Sequence, residues 1–408
     1  MKKIINRTNG KILGSIIKMN RHHQNMSQKA LSDGICVSSY LSRIENAEII
    51  PSEQVISELF EALAIHYNDS EDFLRQGQQL LTHFLEELMF NEFSNSKQIF
   101  EEIEKQSEAY RHSPLIIDYY IVCLAFYCTN KDRHVFEATR SLLESVESLM
   151  SADQRFKYYL YYGIDHAKVY RDYNGAYELL VKAHQFDTNG HLFYWLGYVH
   201  LELGSYIKAF EMFTRALELY VSEANLLSII GTYEMLGLTH FRANNYEDGI
   251  SYLKKGLKLS QKLQSSQYEI AFKSNIKWGM FKLGDFDFAS SNITVAEIGV
   301  LNEFTIPVIM TSFFANLEME NSMSVSELLP FFKKEDSPHY EPFVDLLEHP
   351  EPILWSEKII ENELILKMMF DRYEKLNYEL AKHLKSMLIR LYKNKRRYKE
   401  ALELTNMP

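Results

Sequence analysis

One short window of the chain carries side chains suited to holding phosphates and base edges. Hydroxyl, phenol and guanidinium groups fall between residues 38 and 43, and an amide and an ammonium precede them at Gln28 and Lys29. Hydroxyls allow a close approach to a phosphate, and a guanidinium can hold phosphate oxygens or the acceptor edge of guanine. The window therefore predicts contact with double-stranded DNA through Gln28, Lys29, Ser38, Ser39, Tyr40, Ser42 and Arg43.

Four or five short helices over residues 13–67 are predicted to position these side chains. The first runs from about Leu13 to His22, with apolar residues at helical spacing. Ser27 is suited to cap the second helix, and Gly34 to end it, because glycine tolerates a left-handed turn. A third helix over 38–45 presents the hydroxyls and the guanidinium, and Ser52 caps the fourth. Two short helices joined by a glycine turn are typical of a motif that places its second helix in the DNA major groove.

The charge of the chain is divided unevenly. Residues 1–45 hold eight basic and two acidic side chains, a net charge of +6. The remaining 363 residues hold 36 basic and 53 acidic side chains, a net charge of −17. A basic head on an acidic body restricts phosphate contact to the head. Lys2, Lys3 and Arg7 could extend that contact as an N-terminal arm, although a solvated tail has the same composition.

The run from residue 26 to residue 52 resembles the Xre/Cro-type helix-turn-helix. That family opens with Thr or Ser followed by Gln, buries a Leu, turns at a Gly and closes on Ser-Arg-Ile-Glu. Two positions depart from it, since Ser32 stands where Ala is usual and Ala47 where Gly commonly follows the recognition helix. Because Asn46 can adopt the left-handed conformation itself, we expect the turn to be kept. The matching residues are Ser27, Gln28, Leu31, Gly34, Ser42, Arg43, Ile44 and Glu45.

Residues 196–299 repeat with a period of 40. Each copy has a turn residue, an aromatic residue that opens a second helix, and small residues where paired helices cross. This pattern is similar to that of the tetratricopeptide hairpin, whose basic unit is shorter at roughly 34 residues. The turn residues are Gly204, Asn244 and Gly284, the aromatic ones Tyr206, Tyr246 and Phe286, the small ones Ala209, Gly249, Ala289, Ala216, Gly256 and Ala296, and the core ones Phe213, Leu253 and Ile293.

Further copies extend the repeat region in both directions. One begins at Tyr173, weaker ones lie around residues 93–103 and 135–145, and a last one opens at Tyr398. The pattern degrades between residues 300 and 352, where six of the nine prolines fall. We therefore predict an all-α chain with a helix-turn-helix domain at 1–68, tetratricopeptide-like repeats forming an α-solenoid at 69–299, an irregular connector or degenerate repeat at 300–355, and C-terminal helices at 356–408.

Stacked hairpins form a curved solenoid whose concave wall is lined by the first helix of each pair, and such walls bind peptides or helices. The repeat frame places polar and aromatic residues on this wall. Each of them could equally pack against a neighbouring repeat. The candidate peptide-binding residues are Tyr161, Asp165, Tyr194, Tyr198, Glu202, Glu234, Arg242 and Asn275, with Tyr158 as a further wall residue.

An Xre-type head joined to a tetratricopeptide array resembles the RRNPP family of Gram-positive quorum-sensing regulators, above all its PlcR and NprR branch. The resemblance implies a short signalling peptide that binds the array and changes DNA binding, and a homodimer that presents two recognition helices. It also implies that asparagines hold the peptide backbone eleven residues before the second-helix aromatic. Asn275 matches this position, whereas Tyr162, Trp195 and Met235 do not. The acidic candidates favour a ligand with a free amine or basic residue, but Arg242 could equally pair with a carboxylate.

Other classes of protein are disfavoured. The chain has no HExxH, GxSxG, P-loop or GxGxxG motif, so we expect neither an enzyme nor a cofactor or metal site. Three unpaired cysteines fit a reducing cytoplasm, and no apolar run reaches the roughly 20 residues that a membrane helix needs. The main alternative is a scaffold whose repeats bind another protein, such as a response regulator, with or without DNA binding.

Overall fold

The computed structural model describes residues 10–89, 93–129, 132–290 and 378–406, with isolated positions between 311 and 371. Throughout these residues the regular structure is helical and contains no strand, so the all-α prediction is confirmed. None of the helices in the described ranges is long and apolar enough to cross a membrane. The chain forms two compact units, Met1–Ile229 and Ile230–Pro408.

Four helices form the head. Ser27 caps the second through its hydroxyl, which accepts from the Ala30 amide at 3.0 Å, and Ser52 caps the fourth in the same way at 3.4 Å from the Val55 amide. Gly34 has a φ of +74°, as the turn between the second and third helices requires. Both caps and the turn confirm the sequence prediction. The four helices are α1 (Gly10–His23), α2 (Gln28–Ser32), α3 (Ser38–Glu45) and α4 (Glu53–Ala62).

The turn after α3 differs from the prediction. Asn46 has a φ of −94°, and Ala47 is the left-handed residue with a φ of +58°. The amides of Ala47 and Glu48 donate to the carbonyls of Ile44 and Arg43 at 3.0 and 2.9 Å. This pair of bonds closes a helix only when the residue after the cap is left-handed, and that residue is Ala47. The turn is therefore kept as expected, but Ala47 and not Asn46 takes the left-handed conformation.

The remaining described helices follow as hairpins along the chain. In the first unit they are α5 (Glu71–Met89), α6 (Phe93–Glu104), α7 (Ser107–Arg111), α8 (Ile116–Thr129), α9 (Arg133–Ser145), α10 (Ala152–Asp165), α11 (Tyr173–His184), α12 (Gly190–Glu202) and α13 (Tyr206–Ser222). After these come α14 (Leu226–Arg242), α15 (Tyr246–Lys262), α16 (Ser266–Lys282), α17 (Phe286–Ser290), α18 (Tyr378–Asn394) and α19 (Tyr398–Asn406). A short 3-10 helix, Glu147–Leu149, precedes α10, and a π-helix, His166–Tyr170, follows it directly.

The hairpin turns follow the repeat frame. Gly204, Asn244 and Gly284 have φ values of +72°, +60° and +85°, and the predicted aromatic residues open α13, α15 and α17. A residue that tolerates φ > 0 is needed here because each turn reverses the chain directly after a helix. The upstream copy also holds, since Tyr173 opens α11. Ile293 and Ala296 lie outside the described residues, as does nearly all of the 300–355 connector.

Small residues let the paired helices approach closely. A Cβ on Gly197 would lie 2.8 Å from the Phe213 ring, and one on Gly237 would lie 2.6 Å from the Leu253 side chain. In the second unit a Cβ on Gly256 would lie only 2.2 Å from the Phe272 ring. Distances this short leave no room for a methyl group. The small residues therefore fix how near α12 lies to α13, α14 to α15, and α15 to α16.

Candidate nucleic-acid interface and ligand-binding helices

The predicted DNA-contacting residues lie on α2 and α3, which pack against each other. Lys29, Ser39 and Arg43 are exposed, and the other predicted contacts are half-buried. The Arg43 side chain is 56% exposed, and its guanidinium lies 3.5 Å from the Glu48 carboxylate. A pair this exposed is held weakly, so the guanidinium is free to exchange Glu48 for a phosphate or base. The half-buried predicted contacts are Gln28, Ser38, Tyr40 and Ser42.

Glu45 holds three helices of the head together. Its carboxylate is fully buried and accepts two hydrogen bonds from the Arg21 guanidinium, at 2.6 and 2.8 Å. The Gln28 side-chain amide donates a third at 2.7 Å. Arg21 also donates to the Met26 carbonyl at 2.8 Å, which satisfies a further guanidinium N–H. Glu45 thus fixes α1, α2 and the end of α3, a role that the sequence motif did not reveal.

The head contacts the helices that follow it within the first unit. The Asn20 amide donates to the Arg111 carbonyl at 2.9 Å, and the Arg111 guanidinium lies 2.8 Å from the His23 ring. Burial, and then the charge of Arg111, lower the pKa of His23. His112 follows the same pattern, with burial as the main cause of its lowered pKa, and its ring accepts from the His66 amide at 3.3 Å. A histidine-rich junction therefore joins the head to α7.

Two predicted wall residues of α10 are buried. Tyr161 is fully enclosed, and burial raises the pKa of its phenol. Asp165 has no exposed surface and pairs with Arg133, which donates to both carboxylate oxygens, one at 3.0 Å. Burial raises the pKa of Asp165, and the Arg133 hydrogen bonds oppose that rise. A ligand amine could reach this carboxylate only by displacing Arg133, which itself bonds the Tyr170 hydroxyl at 2.9 Å.

The candidates on α12 sit in a row of aromatic rings. Tyr194, Tyr198 and Glu202 are half-buried, and the Trp195 ring lies between the two tyrosines at centroid distances of 6.0 and 5.4 Å. His191 connects Trp195 to Tyr161, at 6.3 and 6.4 Å. Among the described residues, the indole nitrogen of Trp195 has no hydrogen-bond partner. Trp195 was not predicted as a contact, because the family resemblance implies asparagine at this position.

In the second unit the structure brings Glu234 and Asn275 together. The Asn275 amide donates to the Glu234 carboxylate at 3.0 Å, and both side chains are half-buried. Burial raises the pKa of Glu234 to about 7, with the Asn275 hydrogen bond acting in the opposite direction. Arg242 has a different contact, since its guanidinium stacks 4.3 Å from the centre of the Tyr378 ring. Of the three predicted residues, two form one polar pair.

Both the head and the repeats match known protein families. A helix-turn-helix family model matches residues 17–69, and a tetratricopeptide-repeat model matches residues 190–262. The transcriptional activator NprA of Geobacillus stearothermophilus is 22% identical over 405 residues, which cover 92% of this chain and 97% of NprA. These matches agree with the resemblance to the RRNPP family. The family resemblance identified from the head motif and the repeats is thereby confirmed.

Solved structures share the fold of this chain. The apo form of RapI aligns with a TM-score of 0.59 at 13% identity, covering 78% of this chain and 98% of RapI. NprR in complex with its cognate peptide NprX aligns with a TM-score of 0.55 at 15% identity, covering 84% of this chain and 91% of NprR. At these identities the likeness concerns the fold.

Proposed function

We propose that this protein is a transcription regulator that binds double-stranded DNA through its head and is controlled by a short signalling peptide bound by its repeats. The observation that supports DNA binding is the exposed Arg43 on α3. The buried Arg21–Glu45 pair holds this helix against α1. An exposed guanidinium on a rigidly held helix is suited to base and phosphate contact. The matching relative NprA is named as a transcriptional activator, which supports the same function.

The peptide half rests on the repeats and on the named relatives. NprR has been crystallised with its cognate peptide, and its fold resembles this chain. Asn275 and Glu234 offer a half-buried donor and acceptor pair on the first helices of two hairpins. We propose that this pair, which lies within the second unit, contacts the peptide. Peptide binding then changes the populations of two conformations with different affinity for DNA.

We further propose that the protein acts in the cytoplasm as a homodimer and without a catalytic step. Two recognition helices related by a twofold axis read two half-sites, so a dimer requires a palindromic operator with half-sites about one helical turn apart. Because the operator is unknown, the full-length chain is used to select its site from a random-sequence DNA pool. The proposal requires that a palindrome emerge from this selection.

Arg43→Ala tests the assignment of α3. We expect roughly 5- to 150-fold weaker binding to the selected site, the range for loss of a base-contacting arginine, measured by fluorescence anisotropy. Arg75→Ala is the matched control, because Arg75 is 63% exposed and lies 3.5 Å from Asp72. Both variants lose one exposed arginine of an arginine–carboxylate pair, but only Arg43 lies on α3. Equal affinity of the two variants would remove the DNA role of that helix, and failure to enrich any sequence would favour a protein-binding scaffold.

A further inference from the structure

Glu234 and Asn275 form a polar pair, and both side chains are half-buried. Glu234 lies on α14 and Asn275 on α16, and the Asn275 side-chain N–H occupies one carboxylate oxygen of Glu234 at 3.0 Å. Tyr268, also on α16, lies near enough that burial and then the Glu234 charge raise the pKa of its phenol. The second carboxylate oxygen and the Asn275 carbonyl oxygen are both acceptors. The site therefore presents acceptors and a negative charge to whatever enters it.

The basic side chains of the same two helices are directed elsewhere. Arg242 stacks on Tyr378, and Lys273 lies 4.0 Å from Glu269. Lys277 donates to the Ser312 hydroxyl at 3.0 Å, and the Lys282 ammonium lies 5.6 Å from the centre of the Trp278 ring. Among the described residues, no basic group is within ion-pair distance of Glu234, and Asn275 is the sole polar group that lowers its pKa. Burying a carboxylate without a cation is unfavourable, and the penalty is removed when a cation arrives. The negative charge of Glu234 without a nearby positive charge thus indicates that a positively charged ligand group would fit here.

We infer that Glu234 and Asn275 bind a positively charged nitrogen of the signalling peptide. An ammonium group has three N–H donors and can satisfy the free carboxylate oxygen and the Asn275 carbonyl together, and a guanidinium can do the same. Two sources share this chemistry, the free N-terminus of the peptide and a Lys or Arg side chain within it. The inference rests on the proposed peptide-binding function and adds the charge that the peptide must carry.

The test uses the full-length chain and a positional-scanning library of unmodified short synthetic peptides. The peptide that binds best is then made in two altered forms, one N-acetylated and one with each Lys or Arg replaced by norleucine. Isothermal titration calorimetry gives the affinity of each form. We expect one of the two altered forms to bind about 10- to 100-fold more weakly, and its identity distinguishes the two sources of charge.

The variant Glu234→Gln connects this loss to the carboxylate. Glutamine keeps the size and one acceptor but removes the charge, so the variant should bind the charged and uncharged peptides with nearly equal affinity. Glu269→Gln is the control, because it lies on α16, removes the same charge, and should keep the discrimination. In the wild type, affinity for the charged peptide should also fall as the pH is lowered below the Glu234 pKa of about 7, while the affinity of Glu234→Gln should change little.

The outcomes separate the two claims. If no peptide in the library binds, the peptide half of the proposed function fails and this inference falls with it. If a peptide binds and both altered forms bind as tightly as the unmodified peptide, the inference alone is overturned. The inference is also overturned if Glu234→Gln still binds the charged peptide more tightly than the uncharged peptide. The comparison of altered peptides needs only the wild-type chain, so it decides the question even if a variant does not fold.

Discussion

Replacing Glu45 by Gln should loosen the head far more than its single lost charge suggests. The side chains of Arg21 and Glu45 are 7% and 0% exposed, and two short hydrogen bonds join them. Glutamine fits the same space and can still accept one bond from the guanidinium. It leaves the Arg21 charge buried without compensation, and it also weakens the acceptor that holds Gln28.

The expected magnitude follows from this geometry. Removing one partner of a buried ion pair typically costs about 3–5 kcal/mol, and the retained amide acceptor places Glu45→Gln near the lower limit. A loss of about 3 kcal/mol raises the population of the opened head roughly 150-fold, since about 1.4 kcal/mol corresponds to a factor of ten. Local opening on this scale is measured by amide hydrogen exchange.

Hydrogen exchange with mass spectrometry on the full chain should therefore reveal much faster exchange in α3 of Glu45→Gln. Glu48→Gln is the control, because it makes the same substitution in an Arg–Glu pair whose side chains are 56% and 55% exposed. Surface pairs contribute about 0–1 kcal/mol, so exchange in this control should change only a few-fold. Equal exchange rates in the two variants would refute the idea that the Arg21–Glu45 pair supports the head.

Three further predictions concern single positions. Ala47→Gly should stabilise the head by about 0.5–1 kcal/mol in hydrogen exchange, because a φ of +58° disfavours a side chain, and a less stable variant would contradict this. Gly256→Ala should destabilise by about 1–2 kcal/mol in chemical denaturation, since the new Cβ would lie 2.2 Å from the Phe272 ring. Gly231→Ala, whose Cβ meets no atom within 4 Å, should be neutral or stabilising by up to about 1 kcal/mol, and equal effects at the two glycines would exclude crowding as the cause. Folding raises the pKa of Glu234 to about 7, so its carboxyl destabilises the folded protein as the pH rises above the pKa that this group has in the unfolded chain. The stability of Glu234→Gln relative to wild type should therefore be greater at about pH 8 than at about pH 5, by on the order of 1 kcal/mol. A pH-independent difference in thermal unfolding would contradict that sign.

Local features of the fold could be predicted from the sequence because their causes are local. A hydroxyl three residues before a helical amide caps it wherever it occurs, as Ser27 and Ser52 do. A glycine after a helix permits the left-handed turn, as Gly204 and Gly284 do. The repeat period made the corresponding turns of successive hairpins predictable in the same way. The residue that actually turned after α3 was harder to predict, since Ala47 has no intrinsic preference for that conformation and is held there by its two closing hydrogen bonds.

The polar pairs could not be predicted because they join distant parts of the chain. Arg21 and Glu45 are 24 residues apart, and Asn275 and Glu234 are 41 apart. The repeat frame placed both members of the second pair on the wall but gave no means of judging whether they touch. Asp165 was expected to face a ligand, yet its carboxylate is closed off by an arginine from another helix. Which acid meets which base depends on side-chain packing across helices, and spacing along the sequence does not contain that information.

The bond between Gln28 and Glu45 also affects the entropy of binding. A free glutamine has several rotamers, and ordering such a side chain in an interface costs about 0.5–1.5 kcal/mol. In this head the Gln28 amide is already oriented at 2.7 Å from a carboxylate that is itself fixed by Arg21. If Gln28 contacts DNA as the sequence predicts, its ordering takes place during folding, before any operator is bound. The buried carboxylate of a structural ion pair would then increase the affinity for DNA without ever touching it.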